Sequence, residues 1–290
     1  MSDQAGRLRE IIRNNEEHDS SLTHQIKVYS IISGKGGVGK TNLTVNLAIK
    51  LQQMGKRVLL LDADVGMSNA HLVLGIEVKK NLLDLIENNL DLEDIIANGP
   101  YGVDLISGGE DLFLLEKLDK EKQEEIIRNL AELGNYDVLL IDNGAGINKH
   151  SLTFTILADE IILITTPEPT SITDAYRILK AISLYELKNR VKVVINQVPD
   201  IQTGKMSFNK LLKTSEIFLN VELEDMGYIF NDIRVNKSVM EQVPIVIKYP
   251  DALASLNIGQ ISKSILEDKN YTNNISNLKQ FKNRLIRLFG

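Results

Sequence analysis

The chain has no cysteine and no tryptophan, only 5% aromatic residues and 6 prolines among 290 residues. Without thiols it can form neither a disulfide nor a thiolate metal site, so nothing in it requires an oxidising compartment. No apolar run approaches the roughly 18 residues of a membrane-spanning helix, and Met1-Ser2-Asp3-Gln4-Ala5-Gly6-Arg7 lacks the apolar core of a signal peptide. A cytoplasmic location is expected, with attachment to a membrane only from its surface. Basic charge is also in short supply. The net charge is −6 and the pI about 5.4, which argues against a general nucleic-acid binder. What the chain does have is 43% hydrophobic and 25% charged residues, the composition of an α/β protein that can bury a sizeable core.

The apolar run Val28-Tyr29-Ser30-Ile31-Ile32 leads into Gly34-Lys35-Gly36-Gly37-Val38-Gly39-Lys40-Thr41, and Asn42-Leu43-Thr44-Val45-Asn46-Leu47-Ala48 leads out. This is G-x-x-x-x-G-K-[ST] between a strand and a helix, the context of a loop that binds a nucleoside triphosphate. Glycines let backbone N–H groups turn inward on an anion, and the helix starting near Lys40 adds its positive end. Lys40 is expected on the β- and γ-phosphates and the Thr41 hydroxyl on Mg²⁺. Lys35 is read as pointing out of its own loop, so that its anion is a phosphate held by a second copy.

Two strand ends carry acids. Arg57-Val58-Leu59-Leu60-Leu61-Asp62 reads as a buried parallel strand closing in Asp62-Ala63-Asp64, where doubly wound sheets place ligands. One carboxylate suits the Mg²⁺ shell and the other suits orienting or deprotonating water. Tyr136-Asp137-Val138-Leu139-Leu140-Ile141-Asp142 ends another buried strand in an acid, which needs a cation or hydrogen bonds and is expected to face Mg²⁺ through water. In Asn143-Gly144-Ala145-Gly146 the glycines let an amide approach the γ-phosphate and sense its presence. Further strands are expected at 103–107, 160–165, 191–195 and 226–230. Helices are expected at 40–54, 117–133, 148–157 and 251–266, with another running from a cap at Thr170 or Ser171 to about 187. Two short helical patterns fill 81–98. The Asn196 amide, at the end of a strand, either pairs with an adenine edge or closes a turn. The fold expected is a single α/β domain, a P-loop NTPase with a mostly parallel sheet covered by helices on both faces.

Gly-Lys-Gly-Gly-Val-Gly-Lys-Thr resembles the deviant Walker A motif of the MinD/ParA class of ATPases, and the resemblance extends over about residues 27–265. It implies Mg²⁺-dependent ATP hydrolysis, with Lys35 contacting nucleotide across a homodimer. Asp64 then matches the water-activating aspartate, Asp62 its metal-side partner, and Gly144, Ala145 and Gly146 the second switch, with Asn143 in place of the usual Thr. The same resemblance makes Asn196 an adenine contact and sets Asp232 in the second wall of the base pocket. From spacing alone, residues 3–18 read as a frayed helix. However, Asp3-Gln4-Ala5 followed by Leu8-Arg9 is similar to the leader of the FlhG (YlxH/FleN) flagellar-number regulators. That implies a helix, through Asp3, Gln4, Leu8 and Arg9, which stimulates the partner GTPase FlhF, with basal-body or transcription-regulator proteins as further partners.

At about 100° per residue, Leu278, Phe281, Leu285, Leu288 and Phe289 share one face, with Lys279, Arg284 and Arg287 opposite. That pattern fits an in-plane anchor on an anionic membrane, or a last helix docked on the sheet. ATP-driven pairing of two such helices would raise avidity by roughly 10²- to 10⁴-fold. The chain thus divides into a partner-activating helix and linker (1–24), an ATPase domain (25–266), and a tether with a membrane helix (267–290). The expected function is an ATPase that alternates between a cytosolic monomer and a membrane-associated dimer on the inner face, setting flagellar number and placement with FlhF. A MinD-type division-site regulator and a ParA-like DNA segregation ATPase are the alternatives.

Overall fold

Runs such as Val58-Leu59-Leu60-Leu61 have no polar face, so a strand built from them must be covered on both sides. The computed structural model describes residues 25–64, 69–88, 90–109, 135–146, 151, 154–156, 158–268 and 276–277, and meets that demand. The leader at 1–24, the helix expected at 117–133 and the tail from 278 lie outside the described residues.

Strand β1 (Gln25–Ser33) enters the glycine loop, α1 (Lys40–Gln53) leaves it, and β2 (Val58–Ala63) returns. Short helices α2 (Ala70–Leu74), α3 (Asp84–Glu87) and α4 (Leu92–Ile95) precede β3 (Ala97–Asn98) and β4 (Val103–Ser107). Then come β5 (Val138–Ala145), β6 (Glu160–Thr165), α5 (Pro169–Leu184), β7 (Arg190–Val198), α6 (Ile201–Phe218) and β8 (Glu222–Phe230). The described chain closes with α7 (Ile233–Met240), α8 (Ile245–Lys248), α9 (Leu253–Glu267) and β9 (Ser276–Asn277).

The sheet runs β3-β4-β2-β5-β1-β6-β7-β8, with β9 on β1. All pairs are parallel except β3–β4 and β1–β9. The chain leaves β1 towards β2 and β4, comes back to β5 beside β1, and only then crosses to β6. The carboxyl end of β1 therefore opens at a reversal of winding, the place where open α/β sheets take ligands. Leu43, Leu47 and Leu51 of α1, with Ile258, Ile261 and Ile265 of α9, pack on Tyr29, Ile31, Leu60 and Leu140 on one face. On the other, Ile178 and Leu179 of α5 and Phe208 and Leu211 of α6 cover Leu163, Val193 and Ile195.

The α/β alternation agrees with the sequence, and the differences have physical causes. β5 runs three residues past Asp142, through Ala145, because Ala63 and Ser33 still offer paired neighbours to Asn143 and Ala145. Helix α6 has no counterpart among the expected elements. The start of α5 is set by Pro169 in the first turn, with Glu168 at the cap position. Ser171 does not cap it: its buried hydroxyl lies 2.9 Å from Thr165 Oγ1 and accepts from Thr166 N–H at 3.3 Å. The helix stops at Leu184, short of the expected 187, and Glu186 adopts φ 49° beyond it. Nor does a loose tether begin at 267, since Glu267 is still in α9 and Asp268 is bound.

What binds Asp268 is a ladder of charges at the strand starts. Lys27 Nζ lies 2.8 Å from Glu160 Oε1, and Lys192 Nζ lies 3.1 Å from Glu160 Oε2, 2.9 Å from Glu224 and 2.5 Å from Asp268. Arg190 also pairs with Glu224. Both lysines are buried. Burial pulls the Lys192 ammonium towards deprotonation, but the bonds from Asp268 and Glu224 reverse this and raise its pKa. Breaking such a ladder leaves charge in a dry place. Replacing Glu160 with Ala, which removes the acid the two lysines share, is expected to cost about 3 kcal/mol in urea unfolding; wild-type stability would mean the lysines find other partners.

Candidate functional site

Parallel pairing brings the acids together. Asp62 and Asp142 are register partners on β2 and β5, and Asp142 is also level with Ile31, just before the loop. Between β1 and α1 the loop closes tightly. A Cβ on Gly34 would come within 2.3 Å of the Asp174 backbone in α5, and Gly39 holds φ +89°, a conformation that disfavours any side chain. Lys40 is thereby directed into the mouth of the sheet.

There the Lys40 ammonium, 6% exposed, donates to Asp142 Oδ1 at 2.8 Å and lies 3.6 Å from Asp64 Oδ2. Asp142 is fully buried, and its Oδ1 also meets the Thr44 hydroxyl at 3.1 Å. Its other oxygen, Oδ2, has no hydrogen-bond partner among the described residues. Burial raises the Asp64 carboxyl above its ordinary pKa, and the negative Asp142 adds to this against the pull of Lys40. Asp62 is engaged differently. Its Oδ1 accepts Asp64 N–H at 3.2 Å and its Oδ2 accepts Ala70 N–H at 2.9 Å, so its carboxylate fastens both ends of the segment after β2.

Lys35 does not stand free of its own chain. It donates to Glu168 Oε1 at 2.9 Å, to Glu168 Oε2 at 3.0 Å and to Thr170 Oγ1 at 3.1 Å, across the loop on the β6–α5 turn. Its bond, first of all, holds the Glu168 carboxyl below the usual range. The Asn196 amide donates to Val38 O at 2.7 Å and accepts Gln197 N–H at 2.8 Å, which braces the loop rather than closing a turn. Asp232 caps α7 by accepting Arg234 N–H at 3.0 Å, and it pairs with the Arg234 guanidinium. Gly144 lies against Asp64, with room of 3.2 Å between an added Cβ and Asp64 Oδ1, and Gly146 N–H reaches Ser33 O at 2.8 Å. Asn143 does not meet Asp142's partners. It donates to Ser30 Oγ at 2.6 Å and to Ile31 O at 3.4 Å, inside the sheet.

These observations decide what the site accepts. A buried ammonium flanked by two acids, an acid oxygen lacking a donor, and a loop built to wrap an anion fit a nucleotide phosphate chain and Mg²⁺. Residues 29–277 match the CobQ/CobB/MinD/ParA nucleotide binding domain. The chain belongs to that family. Within it, the chain is 36% identical over 243 residues to the antiactivator FleN of Pseudomonas aeruginosa, spanning 83% of this chain and 87% of that one. It is 30% identical over 297 residues to the flagellum site-determining protein YlxH of Helicobacter pylori, with 100% of both chains covered. Among solved members of the MinD/ParA family, the septum site-determining protein MinD of Pyrococcus horikoshii, complexed with Mg-ADP, superposes with a TM-score of 0.68 at 26% identity, over 87% of this chain and 99% of that one.

Three contributors were not read from the sequence: Glu168 and Thr170, which hold Lys35, and Thr44, which supports Asp142. Thr44 had a signal, since it follows Lys40 by one helical turn and so shares its face. Glu168 had none, because its partner is 133 positions away.

The raised Asp64 carboxyl implies a pH effect with a definite sign. The fold holds this proton to higher pH than the unfolded chain does, so the contribution of Asp64 to stability falls as pH rises from about 4 through its raised value. Asp64→Asn is therefore expected to raise the nucleotide-free Tm at pH 7 by about 1–2 °C. The difference from wild type should vanish below about pH 4, as thermal scans against pH would show.

Proposed function

We propose that this protein is an ATP hydrolase whose nucleotide state sets whether it is a monomer or a membrane-associated dimer, and that it regulates flagellar number or placement. The reading rests on one observation above the others: Lys40 sits between Asp142 and Asp64, with a second Asp142 oxygen unshared. The names of FleN and YlxH support the flagellar role.

In this reading ATP takes Lys40 away from its acids and onto the β- and γ-phosphates. Asp64 then loses the cation that held it and gains a water as its partner. That water attacks the γ-phosphorus, the bond to the β–γ bridging oxygen breaks, and the proton passes to Asp64, whose raised pKa suits it to a base's role. Thr41 and Asp142 would hold Mg²⁺, which supplies charge neutralisation on the phosphates when bound. Asp62 keeps the segment bearing Asp64 in register through its two amide bonds. Gly144 to Gly146 report the γ-phosphate, while Asn196 and Asp232 frame the adenine.

Lys35 carries the dimer step. In the single chain Glu168 and Thr170 hold it, and both are exposed, so the bond is screened by water and readily exchanged for a phosphate in a second copy. Pairing would bring two C-terminal helices to an anionic membrane together. The leader would offer Asp3, Gln4, Leu8 and Arg9 to an FlhF-like GTPase. Among the described residues no helix is long and apolar enough to cross a membrane, in keeping with surface attachment.

Sedimentation with ADP and with ATP, with and without liposomes, tests this. Wild type should pair and pellet with vesicles only in ATP. Lys35→Ala should stay monomeric, and Asp64→Ala should pair but hydrolyse at least about 100-fold more slowly. A chain that stays solitary and lipid-free in either nucleotide would overturn the reading. Loss of GTPase stimulation on deleting residues 1–20 would separate the flagellar role from that of a division-site regulator.

A further inference from the structure

The first turn of α1 carries a feature that the catalytic reading leaves unused. Asn42 follows Thr41, and its Nδ2 is buried with no hydrogen-bond partner among the described residues. A primary amide has a donor end and an acceptor end, and what binds one end decides where the other faces. Here the acceptor end is taken. Asn46, one turn further along α1 and fully buried, donates from Nδ2 to Asn42 Oδ1 at 3.3 Å and to Asn42 O at 2.8 Å. The other end of Asn46 is equally committed, because its Oδ1 accepts Val246 N–H of α8 at 3.1 Å.

The consequence is directional. With Oδ1 fixed by Asn46, the Asn42 amide cannot turn over, and its two N–H bonds are presented on the side away from Asn46. A buried donor that no protein group satisfies needs an acceptor from outside the chain. One residue past Thr41, at the positive end of a helix, the acceptor that best suits it is an anionic oxygen. We propose that Asn42 donates to the phosphate chain of the bound nucleotide and that Asn46 is a positioning residue, which sets the orientation of that donor and ties it to α8. This rests on the nucleotide-binding reading above.

The tie to α8 adds a second effect. Segment α7–α8 begins at Asp232 and is joined through Val246 to Asn46, so the candidate base pocket and the phosphate loop meet at one side chain. A nucleotide that fills both ends of the site therefore tightens a strut already present.

The test uses the whole chain and MgADP, with dissociation constants from titration calorimetry and Tm values without nucleotide. Asn42→Asp is nearly isosteric. It keeps an oxygen for Asn46 to donate to, and an acid in a first helical turn favours the helix, so its nucleotide-free Tm should equal or exceed that of wild type. Because the donor has become an anion, ADP affinity should fall about 30-fold or more. For Asn46, the readout is a cycle. Asn46→Ala should weaken ADP several-fold, yet the Asn42→Ala, Asn46→Ala double variant should bind ADP no more weakly than Asn42→Ala does, since Asn46 acts through Asn42. A purely structural Asn46 would add its full effect in the double variant, and that would overturn the positioning role. Wild-type affinity in a stable Asn42→Asp protein would overturn the donor while leaving the nucleotide site standing. Should wild type bind no adenine nucleotide, the functional reading itself fails, and this inference with it.

Discussion

A lysine ammonium that is nearly out of water cannot be left without negative charge, and much of this molecule is arranged to answer that need. Lys40 is brought inside by a loop that only glycine can close at Gly34 and Gly39. The compensating acids come from the ends of β5 and β2, level with one another because the strands are parallel and in register. Thr44 and Asp62 then hold the surroundings still, one on Asp142 and one on the backbone around Asp64. With no ligand, the site resembles its own substrate complex in charge: two carboxylates stand where phosphate oxygens would otherwise neutralise the cation. Exchange of protein acid for nucleotide acid is thus a swap between nearly matched states, which suits a switch better than a trap.

The two lysines of the loop divide the work by burial. Lys40 sits in a dry place, where its interactions are strong and slow to be replaced. Lys35 sits at the surface on Glu168 and Thr170, where water and salt weaken the bond. One is suited to chemistry within a single copy, the other to contact between copies.

How much of this could be read from residues alone depended on distance along the chain. The loop, the two acidic strand ends and the alternation of strands and helices were legible, because each is encoded within about a dozen neighbouring residues as spacing or apolar runs. Asn143 was legible as a residue but not as a contact, since whether a side chain at a strand end faces the site or the interior of the sheet is decided by pairing. It faces Ser30. Asn196 was correctly singled out for its amide, though its contact with Val38 O joins residues 158 positions apart and had no local trace. The ladder from Lys27 to Asp268 went unread for the same reason, because a lysine inside an apolar strand declares its partner only once the neighbouring strands are known. Helix α6 was passed over because Gly204 interrupts it and its Ser, Thr and Lys residues blur the apolar stripe. In the fold, Gly204 is where Tyr228 packs closest, with 2.6 Å to an added Cβ.

The small strand β9 deserves a mechanical reading. Asn277 pairs with Gln25 and Ser276 with Ile26, so the described chain comes in and goes out at a single address on the sheet. From that address β1 runs 9 residues, as one buried and fully paired rod, straight to the glycine loop. Any pull on the polypeptide before Gln25, and any pull after Asn277, is delivered to the same end of the same rod, whose far end grips the phosphates.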